Sequence, residues 1–122
     1  MIKEKYDALI SKLINATEKG GVVWEKTSSS NEFQAKLGDN AVSVSHYDPD
    51  GLETLFLSSP RKSIPSYSLN IINSDGIIID SDTKEKDENG YDRLKTLFEE
   101  ARRKYFRVDE TIDDILGVLQ DK

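Results

Sequence analysis

"SYSLNIINSDGIIIDS", residues 66–81, is two apolar runs broken by polar residues and joined by Asn73-Ser74-Asp75-Gly76. A period of two is the repeat of a β-strand, and a short polar link ending in glycine is hairpin chemistry. The stretch therefore predicts an antiparallel pair. Tyr67, Leu69, Ile71, Ile77 and Ile79 should lie on one face, with Ser68 and Asn70 on the other.

The same period extends upstream. "VVWEKT" (22–27), "EFQAKL" (32–37) and "AVSVSHY" (41–47) alternate in the same way and add Trp24, Phe33, Leu37, Val42 and Val44 to the apolar face. "LETLFL" (52–57) also suits one helical turn, but its length and setting favour a further strand. The separators, Ser28 to Asn31, Gly38-Asp39-Asn40 and Asp48-Pro49-Asp50-Gly51, are short and rich in turn formers, which implies antiparallel neighbours.

Outside the strands the period lengthens. Tyr6, Leu9, Ile10, Leu13, Ile14 and Thr17 recur at helical spacing, and Gly20-Gly21 closes that helix. Residues 80 to 92 read as an acidic, solvated loop. Beyond it Tyr91, Leu94, Leu97, Phe98, Ala101 and Tyr105 form a second stripe, with Glu99–Arg103 and Glu100–Lys104 as exposed pairs four residues apart. After a break near Arg107, Asp109 caps a last helix whose Ile112, Ile115, Leu116 and Leu119 are expected to face inward. The prediction is a single α+β domain over residues 1–122: an N-terminal helix, an antiparallel meander of about six strands, and two C-terminal helices packed on one sheet face.

Bulk properties narrow the function. The chain has 122 residues and a net charge of −6, which disfavours nucleic acid and anionic membranes and suits a basic protein partner. It has no cysteine, hence neither a disulfide framework nor a thiolate nucleophile, and the charged N-terminal segment lacks a signal-like apolar run; a cytoplasmic setting is expected.

Candidate chemistry is sparse. "SSPRKSIPS" (58–66) carries the Ser-Pro-basic-basic pattern of minor-groove elements, but one copy offers too few cations, and it reads as a connection between strands. "RRKYFR" (102–107) makes Arg102, Arg103 and Arg107 candidate anion binders, although from Glu99 to Asp114 four cations meet six acids. Counted from Asp80, the acidic loop puts Lys84 and Glu85 where a calcium loop needs an oxygen ligand and a glycine, so no metal is expected. His46 is the sole imidazole and sits at a strand end; no cofactor or catalytic group is indicated. Val23, Phe56, Ile72 and Ile78 fall by alternation on the otherwise polar sheet face and form the candidate interaction surface, for a partner or for a homodimer.

In type, though not in any motif, this small, acidic, cysteine-free, sheet-centred plan resembles bacterial immunity and adaptor proteins that sequester a basic partner. The resemblance implies a non-catalytic protein-interaction domain. The alternatives are a self-associating structural domain, and a small-ligand binder or enzyme with a cleft site.

Overall fold

A computed structural model describes residues 2–29, 31–48 and 64–120. Helix α1 spans Ile2–Glu18. Its buried residues, Tyr6, Ile10, Leu13 and Thr17, follow one face of the helix. Gly20 ends it at φ 79°, where a side chain would be strained, and the Gly21 N–H reaches back 2.8 Å to the Ala16 carbonyl.

Strands β1 (Glu25–Lys26), β2 (Glu32–Leu37), β3 (Asn40–Tyr47), β4 (Ser66–Ile72) and β5 (Ile78–Glu85) follow. They form one antiparallel sheet in the order β1-β2-β3-β4-β5, a meander. Helices α2 (Tyr91–Phe106) and α3 (Val108–Gln120) follow; α2 packs on the sheet through Leu94, Leu97, Phe98 and Ala101, and α3 extends from the end of α2. This is the α+β fold expected, with five strands among the described residues instead of about six. The expected strand at 52–57 lies outside the described residues, as does most of "SSPRKSIPS".

Registers define the faces. Phe33 pairs with Val44 and Val44 with Leu69, while Ala35 pairs with Val42 and Val42 with Ile71, so these residues share the helix-covered face. On the opposite face Gln34, Ser43, Asn70 and Ser81 line up across four strands. That row is hydrogen-bonded: Asn70 Nδ2 donates to Ser43 Oγ at 2.9 Å, and Ser81 Oγ donates to Asn70 Oδ1 at 2.6 Å. Ser68 Oγ and Thr83 Oγ1 pair at 2.7 Å beside it.

Three local expectations change. The strand expected over 22–27 shortens to Glu25–Lys26, because the buried Trp24 Nε1 donates to Thr17 Oγ1 at 3.1 Å and draws the chain under α1 instead of along β2. The register slips at Ile79: Ile71 faces Asp80 while Ile72 faces Ile78. This bulge moves Ile77 and Ile79 out of the core, and both are exposed. Residues 80–85 are strand and not loop, since their backbone continues the ladder with β4 and Ser81 and Thr83 enter the polar rows.

The β4–β5 turn is built by side-chain chemistry. Asn73 Oδ1 accepts from the Asp75 and Ile77 N–H groups, each at 3.0 Å, and Gly76 supplies φ 80°.

Candidate protein-interaction site

The four apolar residues expected on the polar face are not brought together as one stripe. Val23 is 74% exposed but precedes β1, Ile78 is 56% exposed, and Ile72, its cross-strand partner, is 8% exposed and therefore covered. Phe56 lies outside the described residues.

A more extensive apolar surface lies on α3. Ile112, Ile115, Leu116 and Leu119 recur at the spacing of a core stripe, yet they are 45–62% exposed and no residue of this helix is buried. The expectation that they face inward is thus corrected. The cause is the joint between the helices. Arg107 adopts the left-handed conformation (φ 53°, ψ 47°), and its N–H satisfies the carbonyls of Arg103 and Lys104. Thr111 then closes the first turn of α3 on the Arg107 carbonyl, at 3.0 Å from its N–H and 2.9 Å from its Oγ1. A single linking residue leaves α3 too little chain to fold back, and its side-chain bridge to α2 comes from its first turn, Asp109 to Arg103.

The same joint decides the fate of the cations. Arg103 bridges Asp109, and Arg107 bridges Glu110, with its Nε at 2.7 Å from Oε2. The Arg107 guanidinium is pushed up from its ordinary pKa by that hydrogen bond and charge. Arg102 lies over the Phe106 ring at 5.4 Å. The three candidate anion binders thus sit at one corner, two of them bridged to acids of α3. Asp113 and Asp114 stand outside those bridges and leave the exposed helix negative.

His46 belongs to a packed aromatic group. Its ring stacks on Tyr67, centroids 4.2 Å apart and 7° from parallel, and meets the edge of Phe98 at 5.6 Å. Burial, foremost, lowers its pKa below 6.5, with Lys95 acting in the same sense and Asp48 and Glu99 against it. Because the folded state prefers the neutral ring, its contribution to stability is complete above pH 6.5 and is lost as pH falls through the depressed value. Urea midpoints at pH 7 and pH 5 should therefore differ more for the native chain than for His46→Gln; equal differences would show that the ring is not shielded.

A third feature is an open groove of about 540 Å³ between α1, β5 and the start of α2, lined by Lys3, Tyr6, Asp80, Asp82, Lys84 and Arg93. Tyr6 donates to Asp80 Oδ2 at 2.7 Å, and Arg93 ties α2 to Ser11 of α1. Opposite charges alternate along it, so it has no single electrostatic preference. Among the described residues no group of three or more acids and histidine is placed to hold a metal ion, and no helix is long and apolar enough to cross a membrane.

The anion-binding candidates were legible from sequence but their pairing was not, because it depends on one left-handed residue. The α3 stripe was visible too, as a core face. Comparison with models of protein families, with curated proteins and with solved structures finds no match to this chain.

Proposed function

We propose that the protein is a non-catalytic interaction domain that inserts α3 into an apolar groove rimmed by basic side chains on another protein. The observation that carries this reading is a 13-residue helix with a core-type stripe and no buried residue. Isolated helices shorter than about 12–15 residues are marginal in water, and most helical stability in proteins comes from packing an apolar face. A helix that finds no cover among the described residues of its own fold fits the helix-in-groove mode, in which anchors at i, i+3, i+4 and i+7 enter the partner. Ile112, Ile115, Leu116 and Leu119 have that spacing.

Charge selects the partner. The helix carries Asp109, Glu110, Asp113 and Asp114 and no cation from 108 to 120, on a chain of net charge −6. Two of the acids are engaged by Arg103 and Arg107, which leaves Asp113 and Asp114 to meet a basic rim. Association is then steered electrostatically and weakens with salt.

The test is capture from the native cell with the whole chain as bait, followed by direct titration of the captured protein. The doubly substituted Ile115→Asp, Leu116→Asp chain should lose binding by about a hundredfold or more, since two central apolar anchors become buried charges. Its melting temperature should stay close to native. Equal retention by both chains, or a captured partner that is acidic at the contact, would overturn the proposal. So would a native dimer that these two substitutions dissociate, because α3 would then cover itself.

A further inference from the structure

The sheet has two edges, and they are built differently. β1 ends it with two residues, a blunted edge, whereas β5 ends it with eight. Among the described residues nothing pairs with the outer side of β5.

The ladder shows which groups point outward. The Lys86 N–H bonds the Pro65 carbonyl at 3.0 Å, so Lys86, and by alternation Lys84, Asp82 and Asp80, direct their backbone polar groups toward β4. Ser81, Thr83 and Glu85 direct theirs away from the sheet. The Glu85 N–H is held by Glu88 Oε1 at 2.8 Å, a cap at the far end of the edge.

On one face of this strand, continued through Lys86 just past its end, the charges are antisymmetric about Thr83, while Glu85 falls on the other face. Asp80 and Asp82 precede it, Lys84 and Lys86 follow it, and all four alternate onto one face. An antiparallel strand with the opposite order of charge is the complement of such an edge, and the chain itself supplies one. We infer that β5 pairs with β5 of a second copy about a two-fold axis through Thr83, joining the two sheets into one.

In that register Asp82 stands opposite Lys84 of the second copy and Asp80 opposite Lys86, each pair occurring twice. The two Thr83 residues exchange N–H and carbonyl bonds. The four charged positions fall at the non-hydrogen-bonded sites of the new ladder, where facing Cα atoms are about 4.5 Å apart and side chains interact most closely. Within one copy, among the described residues, Lys84 bridges Asp82 at 3.4 Å along its own strand. The groove beside Asp80, Asp82 and Lys84 leaves that face open to an incoming strand. Edge charges of one sign repel a second copy, but charges that reverse across the midpoint select it.

This interface uses no residue of α3, so it stands or falls apart from the proposed function. The test is sedimentation of the full-length chain and of two charge variants. The native chain should dimerise reversibly, less so at high salt. Asp82→Lys alone and Lys84→Asp alone should each dissociate about tenfold more readily or worse, because like charges then face each other. Mixed in equal amounts, the two variants should recover a heterodimer of native affinity. Thr83→Pro should give a monomer, since its lost N–H points outward and the ladder with β4 survives. A native chain that stays monomeric at the highest soluble concentration would overturn the inference. So would single variants that self-associate like the native chain, or a mixture no tighter than either variant alone.

Discussion

Phe33→Ala is expected to lower the unfolding free energy by about 3–5 kcal/mol, a large share of the roughly 5–15 kcal/mol that a domain of this kind has. The ring is 2% exposed near the start of β2. It is surrounded by Phe98 at 5.6 Å, Tyr105 at 5.5 Å and Phe106 at 6.1 Å, centroid to centroid. Truncation would open a cavity beneath the second half of α2. Phe98 cannot swing in to fill it, because it is also packed against Tyr67 at 5.5 Å and His46 at 5.6 Å. Ile115→Ala, at an apolar position of the same general character, should change stability by no more than about 0.5 kcal/mol, since that side chain touches little. Equilibrium denaturation of the two variants measures both. A loss below about 1 kcal/mol at Phe33 would mean that α2 does not roof the sheet, and a large loss at Ile115 would mean that α3 is covered by its own chain.

That contrast marks how far periodicity carries. Amphipathic spacing says that a face must be covered; it does not say by what. Tyr6, Ile10 and Leu13 are buried in the core of their own chain, whereas Ile112, Leu116 and Leu119 have the same spacing and meet solvent. The difference lies in Arg107, whose left-handed backbone no composition rule singles out, since arginine is an uncommon residue in that conformation. The β4–β5 hairpin was legible because Asn73 to Gly76 is turn chemistry at the residue level. The bulge three residues later was not, because "III" keeps no alternation from which a slip could be noticed.

The length of β5 was hidden for a related reason. Asp80 to Lys86 looks like solvated loop, and only the cross-strand partners of Ser81 and Thr83 reveal that the charges sit on an edge strand. Trp24 shows the converse: its size and spacing suit a strand, but its hydrogen bond to Thr17 holds it beneath a helix. The candidate site is therefore the part of the molecule that sequence exposes least. Its residues were in view, and what distinguishes them is that no described element covers α3, which is a property of three-dimensional placement alone.

Alkaline pH should expose a second consequence of the core. Tyr67 is buried, and its pKa is pushed up to about 12 by that burial first and then by Tyr91, Glu99 and Asp48. Tyr6 moves in the same direction, through burial and then through the hydrogen bond it donates to Asp80. In the unfolded chain a tyrosine releases its proton near pH 10. Because the folded-state value is the higher one, the stabilisation is complete below about pH 10 and drains away as pH rises through about 12. Urea midpoints should fall steeply over that window. In Tyr67→Phe, which has no proton to lose there, the fall should be shallower, and the difference in phenolate absorbance between the native chain and this variant should place the Tyr67 transition well above 10. Tyr6→Phe differs in one respect: it should also cost about 1 kcal/mol at neutral pH, because Asp80 loses its donor. If Tyr67→Phe follows the native curve throughout, the ring is reached by water in the folded state, and the His46–Tyr67–Phe98 packing that orients α2 over the sheet is looser than these distances require.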